Sequence, residues 1–416
     1  MSMDRIIFHI DVNSAFLSWS AIKKLEEEPG SVDLRTIPSA VGGDIQTRHG
    51  VITAKSIPAK AFHVQTGEPV VRALEKCPHL VLVKSDFAAY RMYSARFIKV
   101  LREYTDQIQQ VSIDEAFLDV TDLVGSGNGT GAPRPEELAC EIKDAVRDRL
   151  GFTVNVGIST NKFLAKMASD FEKPDKVHTL YPSEIPDKLW PLPIRDLYGC
   201  GRATAGKLNA MGFYTIGDVA AFDVSLLQSI LGGKLGTYLH ERANGVDDSP
   251  VRTEREEAKS YSNETTTAED IDEKNYQKTA VPILRALSAK VAGRMQRDAI
   301  MGHTVSVMVK TGAFRRHSRQ TTLPKPTNDK EEINRTAVKL MEELLFSENG
   351  LFRAGEVLRL IGVGVSNLDK GDYYQMDLAE WALRSQKSER EKRLDLMLKQ
   401  IQDKYGEGKV RKGRQG

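Results

Sequence analysis

Apolar and polar positions along this chain fall into segments whose period shifts between two and about 3.6 residues. Arg5–Val12 is a short β-branched run that reads as a buried strand. Residues 14–27 follow with helical spacing, and residues 50–54 suggest another strand. Phe87, Tyr90, Ser94, Phe97 and Leu101 recur at helical intervals, which predicts a helix over residues 86–104. Val111–Val120 reads as a pair of strands around a tight polar turn at Asp114 and Glu115. A helix over residues 135–150, an alternating strand Phe152–Ile158 and a helix Asn161–Glu172 stopped by Pro174 come next. Strands and helices interleave without a strict βαβ repeat, so the expected fold class is α+β and not a doubly wound sheet.

Composition narrows this picture. The 416 residues suggest about three domains, and 40% hydrophobic with 28% charged residues excludes a globally disordered chain. No apolar run approaches the roughly 20 residues that span a bilayer. The run Ile6–Phe8 is too short for a secretion signal, so a soluble cytoplasmic protein is expected. Cys77, Cys140 and Cys200 are far apart and form no CxxC pair, which argues against a zinc ribbon or disulfide framework. Residues 125–134 are glycine-rich, but their spacing and Pro133 fit a flexible loop better than a dinucleotide turn. The net charge of +2 hides segregation. Residues 299–327 carry Lys310, Arg315, Arg316, Arg319 and Lys325 without an acid, and residues 263–273 carry five acids without a base. Such blocks are either solvated faces or, for the bases, a nucleic-acid footprint.

Two segments carry candidate chemistry. His9–Phe16 and Val111–Asp119 each place a carboxylate at the end of an apolar strand: Asp11 in the first, the consecutive Asp114 and Glu115 in the second. Three carboxylates converging from adjacent strands would hold hard divalent cations, the device used for in-line phosphoryl transfer. The same acids could instead sit in turns, with Asp11 capping the following helix. Lys162, Lys166 and Lys173 fall along one basic edge that could meet a triphosphate or could merely complement a helix C-terminus. In residues 192–218, Gly199-Cys200-Gly201 opens a helix over 202–211, Gly212 closes it, and Thr215 begins another. A glycine turn between helices lets backbone amides approach a phosphate regardless of base sequence, so duplex backbone binding is expected.

Together these segments resemble the Y-family (translesion) DNA polymerases, closest to the DNA polymerase IV branch. The matching residues are Asp11 with Phe16, Ser112-Ile113-Asp114-Glu115, Gly157-Ile158-Ser159, Asn161-Lys162, Leu164-Ala165-Lys166, Ser169-Asp170, Lys173-Pro174, the Gly199–Gly201 hairpin and Lys259-Ser260. The likeness covers about residues 4–405. It implies a right-hand polymerase with a palm (1–20 and 80–185), fingers (21–79), a helix-hairpin-helix thumb (186–245), a linker (246–257), a little finger (258–368) and a tail (369–416). It implies template-directed, low-fidelity addition of deoxynucleotides to a primer 3′-hydroxyl, without a proofreading exonuclease. Asp11, Asp114 and Glu115 would be catalytic and, with the Val12 carbonyl, would hold two Mg²⁺ ions. Phe16 would be the steric gate against a 2′-hydroxyl, and Lys60 and Lys173 would bind the nucleotide. Gly199, Gly201, Lys310, Arg315, Arg316 and Arg319 would bind DNA. Gln375, Leu378 and Trp381 resemble a sliding-clamp-binding motif. The implied partners are primer-template DNA, deoxynucleoside triphosphates and a sliding clamp, with no membrane, for a chain acting as a monomer.

The chain departs from the family pattern at four positions. The usual finger tyrosine and arginine align with Ile57 and Lys60, and a lysine lacks the bidentate geometry of an arginine. Asn13 replaces a common aspartate, and Ala15 replaces a usual aromatic. A nucleotide cyclase could use a similar palm but needs no duplex grip, and a catalytically dead DNA-binding protein would not need all three carboxylates.

Overall fold

The computed structural model describes residues 5–43, 50–125, 132–254 and 257–369, with a few single positions between 393 and 404. The chain divides into two compact units, Met1–Glu257 and Ala258–Gly416.

In the first unit, β1 (Ile7–Val12) leads through α1 (Ala15–Glu27) to β2 (Ser39–Gly42), β3 (Ile52–Lys55), α2 (Ile57–Ala61), α3 (Val70–Lys76) and β4 (Val81–Val83). Then come α4 (Phe87–Leu101), β5 (Ile108–Gln110), β6 (Glu115–Asp119), α5 (Pro135–Leu150), β7 (Val154–Ser159), α6 (Lys162–Ser169) and β8 (Val177–Thr179). Four helices close the unit: α7 (Arg202–Asn209), α8 (Ile216–Ala220), α9 (Val224–Leu231) and α10 (Gly233–Ala243). A five-stranded mixed sheet, ordered β5-β6-β1-β7-β8, holds β1 at its centre, and β2, β3 and β4 form a separate small sheet.

The continuous apolar run of β1 is buried along its whole length, as a central strand covered on both faces requires. One face of the large sheet packs on α1, α4 and α5 through Trp19, Tyr90, Tyr93, Phe97 and Phe152. Aromatic side chains of this size are worth roughly 1.5–3 kcal/mol each when fully buried. α6 lies against β1 and β7 on the other side. Gly157 makes that approach possible. A Cβ there would sit 2.0 Å from the Ala165 carbonyl oxygen and 2.4 Å from the Ser169 nitrogen, both backbone atoms.

Two expected boundaries move, each for a local reason. Val111 lies outside any strand, because Ser112 draws the chain into a turn. Its hydroxyl accepts from the amides of Asp114 and Glu115 at 3.2 and 3.1 Å while donating to Asp114 Oδ1 at 2.6 Å. The turn therefore ends at Asp114, and Glu115 already belongs to β6. The helix expected to reach Glu172 stops at Ser169. Asn155 reaches from β7 and donates to the carbonyls of Ser169 and Glu172 at 3.1 and 2.6 Å, which satisfies acceptors past the helix end.

The second unit contains β9 (Ser260–Ile271), α11 (Tyr276–Arg297), β10 (Met301–Thr311), β11 (Arg316–Thr327), α12 (Lys330–Phe346) and β12 (Leu358–Asp369). Its antiparallel sheet runs β11-β10-β12-β9. Alternation on β10 turns Val305, Val307 and Val309 toward the helices and leaves Ser306, Met308 and Lys310 on the other face. β11 is an edge strand, largely exposed, carrying Arg316, Arg319, Pro324, Lys325 and Pro326, residue types that discourage pairing with another chain.

Gly157→Ala should destabilise the protein by about 1–3 kcal/mol, because the opposing atoms are backbone and cannot rotate away. Urea denaturation checks this; an unchanged midpoint would show that α6 can lift from β7 without loss.

Candidate active site

β1 and β6 pair with Asp11 opposite Glu115, and the Val12 amide donates to the Asp114 carbonyl at 3.0 Å. Asp11, Asp114 and Glu115 thus sit at adjoining strand ends. Asp11 does not cap the following helix: it is a strand residue, and the N-cap position of α1 is Ser14, whose side chain makes no capping bond. A cavity of about 450 Å³ opens here, lined by Asp11, Val12, Asn13, Phe16, Asp114 and Lys173 on one side and by Lys55, Ile57 and Lys60 on the other. Glu115 faces a second pocket of about 200 Å³ with His9, Lys162 and Lys166.

Among the described residues, no three His, Cys, Asp or Glu side chains are drawn together as a ready metal cage. Like charges repel, and lysines hold the carboxylates apart. Lys173 pairs with Asp11 and lies 2.8 Å from Asp170. Lys166 donates to Glu115 at 2.8 Å and sits 3.5 Å from Asp170. The donor set still fits a hard divalent cation. Asp11 and Asp114 offer only oxygen to the cavity, and Asp11 is 8% exposed, so its charge requires a cationic partner. Of the basic edge seen in the sequence, Lys166 and Lys173 are therefore tied to the acids and do not serve merely as a helix-end complement, whereas Lys162 donates to Gln109 Oε1 at 3.1 Å.

The electrostatics follow from burial. Desolvation raises the Asp11 carboxyl above its ordinary value, against the pull of Lys173. Burial opposes charge on Lys173 and Lys166, but their acidic partners outweigh it and both ammonium groups are raised. Glu115 is held down to about 2, by His9 and by Lys166. His9 Nε2 is 3.9 Å from that carboxylate, too far for a hydrogen bond, so the ammonium at 2.8 Å is the stronger partner. Burial lowers the pKa of His9 itself, whose ring meets that of Phe117 at a tilt with centroids 4.7 Å apart and reaches Ser169 Oγ through Nδ1 at 2.7 Å.

Phe16 stands at the cavity wall in the first turn of α1. Its ring stacks on Tyr90 at 4.7 Å and 13°, and Phe87 meets it edge-on at 6.0 Å. The Tyr90 hydroxyl bonds Ser20 at 2.9 Å, so the ring under Phe16 is itself fixed. Ile57 and Lys60 lie on the short helix α2, not on a strand, and one turn apart they share a helix face. Lys55 joins them at the cavity; burial and the charge of Lys60 lower its pKa.

The glycines of the helical hairpin differ in role. Gly199 has φ 93°, and a Cβ would lie 2.5 Å from the Tyr238 ring, so only glycine fits. Gly201 is the N-cap of α7, with open space where a Cβ would be. The structure divides the four basic residues of the second unit. Lys310 and Arg316 face each other across β10 and β11 on the side away from the helices. Arg319 pairs with Glu343 of α12 at 2.8 Å, Arg315 at the turn pairs with Glu356, and Arg316 lies 3.9 Å from Glu264 of β9. Gln375, Leu378, Trp381 and the basic tail lie outside the described residues.

Sequence reasoning missed His9, Lys55, Tyr90 as a support for Phe16, and Asn155. Only Lys55 carried a local signal, a second lysine two residues before α2 and five before Lys60. The others acquire their roles through partners far along the chain.

The sequence matches the model described as the impB/mucB/samB family over residues 10–170 and its C-terminal domain over residues 258–378. Residues 195–247 match a DNA polymerase-iota thumb domain. A DNA polymerase IV of Clostridium acetobutylicum is 39% identical over 410 residues, 98% of this chain and 97% of that protein. DNA polymerase IV 1 of Bacillus subtilis is 35% identical over 98% of this chain and 92% of its own length. A solved Y-family DNA polymerase chimera of Dbh and Dpo4 superposes with a TM-score of 0.73, covering 87% of this chain and 98% of its own at 24% identity. The fold is therefore that of a Y-family polymerase, with a C-terminal little-finger domain. No helix among the described residues is long and apolar enough to cross a membrane.

The depressed Glu115 carboxyl stabilises the fold fully above its unfolded value of 4.5, and that contribution fades as pH falls toward about 2. In a chelating buffer, the gap in urea midpoint between the wild type and Glu115→Gln should narrow over that window. A constant gap would show that the ion pair with Lys166 adds no charge-dependent stability.

Proposed function

Because this chain belongs to the Y family of DNA polymerases and is a DNA-directed DNA polymerase, we propose that it performs low-fidelity translesion synthesis by a two-metal mechanism. The observation that carries this reading is the cavity in which Asp11 and Asp114 face Lys55, Lys60 and Lys173 beside the Phe16 ring. Acids on one wall and cations on the other suit a triphosphate whose charge is shared between bound metal and protein.

Asp11 and Asp114, with the Val12 carbonyl and Glu115, would hold two Mg²⁺ ions. Bound there, such ions acidify an attacking primer hydroxyl and neutralise the triphosphate and the departing pyrophosphate. Lys173 releases Asp11 and turns to the triphosphate. Lys60 and Lys55 approach it from the α2 side as point charges. The fixed ring of Phe16 lies against the sugar and leaves no volume for a 2′-hydroxyl. Ala15, Thr53, Ala54 and Thr66 also line the cavity. Side chains this small press weakly on a nascent base pair, which favours acceptance of damaged templates over accuracy.

The domain reading assigns residues 1–20 and 80–185 to the palm, 21–79 to the fingers, 186–245 to the thumb and 258–368 to the little finger. Gly199 and Gly201 would present the α7 N-terminus to a backbone phosphate of primer-template DNA. Lys310 and Arg316, sharing one open face, would meet the duplex. Arg315, Arg316 and Arg319 would do so after leaving their acidic partners. Gln375, Leu378 and Trp381 would dock on a sliding clamp, and the protein would act as a cytoplasmic monomer.

Primer extension with Mg²⁺ and four deoxynucleotides tests the core of this reading. Asp114→Ala and Glu115→Ala should each lower extension by about 10³-fold or more, on the scale of lost electrostatic stabilisation of a transition state. Retained extension would remove these residues from the chemistry. Phe16→Ala should admit ribonucleotides while keeping deoxynucleotide incorporation. Unchanged sugar discrimination would exclude the ring as a gate.

A further inference from the structure

Asn13 is the position where the family commonly has aspartate, and the structure gives the change a partner. Its side chain is 8% exposed, and that of Asn155 is fully buried. Asn13 Nδ2 donates to Asn155 Oδ1 at 3.0 Å. The remaining polar atoms of the pair all reach one loop. Asn13 Oδ1 accepts from the Asp175 amide at 3.0 Å, and Asn155 Oδ1 accepts from the Lys176 amide at 3.3 Å. Asn155 Nδ2 donates to the carbonyls of Ser169 and Glu172 at 3.1 and 2.6 Å. The loop is thereby pinned at Glu172, immediately before Lys173, and at Asp175, two residues after it.

Two carboxamides suit this task better than a carboxylate would. An aspartate at position 13 would set an acceptor against Asn155 Oδ1. Turning the Asn155 amide to meet it would withdraw Nδ2 from both carbonyls. The pair is also neutral, so it ties the loop to β1 and β7 without adding charge beside Asp11. A lysine is a flexible four-carbon stem, and fixing its backbone on both sides limits where its ammonium can go.

We propose that Asn13 and Asn155 form an amide clamp that positions Lys173 for the nucleotide triphosphate. The inference rests on the reading of Lys173 as a triphosphate ligand. Neither asparagine touches the reacting atoms; both are positioning residues acting through Lys173. Loosening the clamp weakens nucleotide binding and spares the chemical step.

The test uses the full chain on primer-template DNA and compares Lys173→Gln, Asn155→Leu, the milder Asn13→Ala and the doubles with Lys173→Gln. Deoxynucleotide affinity is measured by equilibrium binding to a complex with a dideoxy-terminated primer, and KM and kcat by extension. Each asparagine variant should raise KM and the dissociation constant by about tenfold with kcat changed less than about threefold. With Lys173→Gln in place, the asparagine substitutions should add no further loss. If Asn155→Leu does not fold, the Asn13→Ala cycle decides. Wild-type affinity in folded asparagine variants, or an equal loss with and without Lys173, overturns the clamp alone. Wild-type affinity in Lys173→Gln overturns the triphosphate reading of Lys173 and the clamp with it.

Discussion

The contact on which the site depends is the seating of α6 on β7 at Gly157. Backbone meets backbone there, closer than any side chain would allow. That approach carries Lys166 to Glu115 and delivers the following loop, with Lys173, to Asp11. Buried carboxylates at strand ends are tolerated only with positive charge nearby. The helix supplies that charge from one side of the sheet, while the aromatic core on the other side holds the strands in register. A small residue on a central strand thus determines whether the acids can be buried at all.

The same arrangement explains how the site proposed for phosphoryl transfer is stable without substrate. Lysines and acids neutralise each other, so neither set is left unpaired. A triphosphate with its cations offers both sets alternative partners of the same charge types. The exchange is close to balanced because ion pairs are traded for ion pairs within one cavity. Glu115 and Lys166 pair on the side away from the larger cavity, toward His9. Phe16 is held by aromatic contact and not by charge, so its orientation is independent of what the lysines do.

Much of the first unit was legible because its signals are local. The apolar run of β1, the helical spacing of Phe87–Leu101 and the helix over residues 135–150 required no knowledge of partners. The carboxylates were legible too, since an acid at the end of a buried strand is costly and conspicuous. Val111 was misread as strand because Ser112 competes for the backbone through its hydroxyl. The end of α6 was misplaced because the chain tightens there, the Asp170 and Phe171 amides donating to the Met167 and Ala168 carbonyls three residues back, while Asn155, 14 residues before Ser169, holds the carbonyls at and beyond the helix end. The four bases of the second unit read as one patch, whereas strand alternation sends Lys310 and Arg316 to one face and Arg319 to the other.

The sequence by itself determined the fold class, several strands and helices of the first unit, the three carboxylates, the aromatic at position 16 and the glycine turn of the helical hairpin. These depend on periodicity, on spacing and on the conformational demands of single residues. Tertiary structure alone decided which lysine meets which acid, that Tyr90 backs Phe16, that Tyr238 imposes glycine at 199, and that Asn13 and Asn155 share one loop. Those pairings join residues up to 162 positions apart. Their geometry is set by sheet register and by the depth at which helices settle, and neither is encoded in any short stretch of chain.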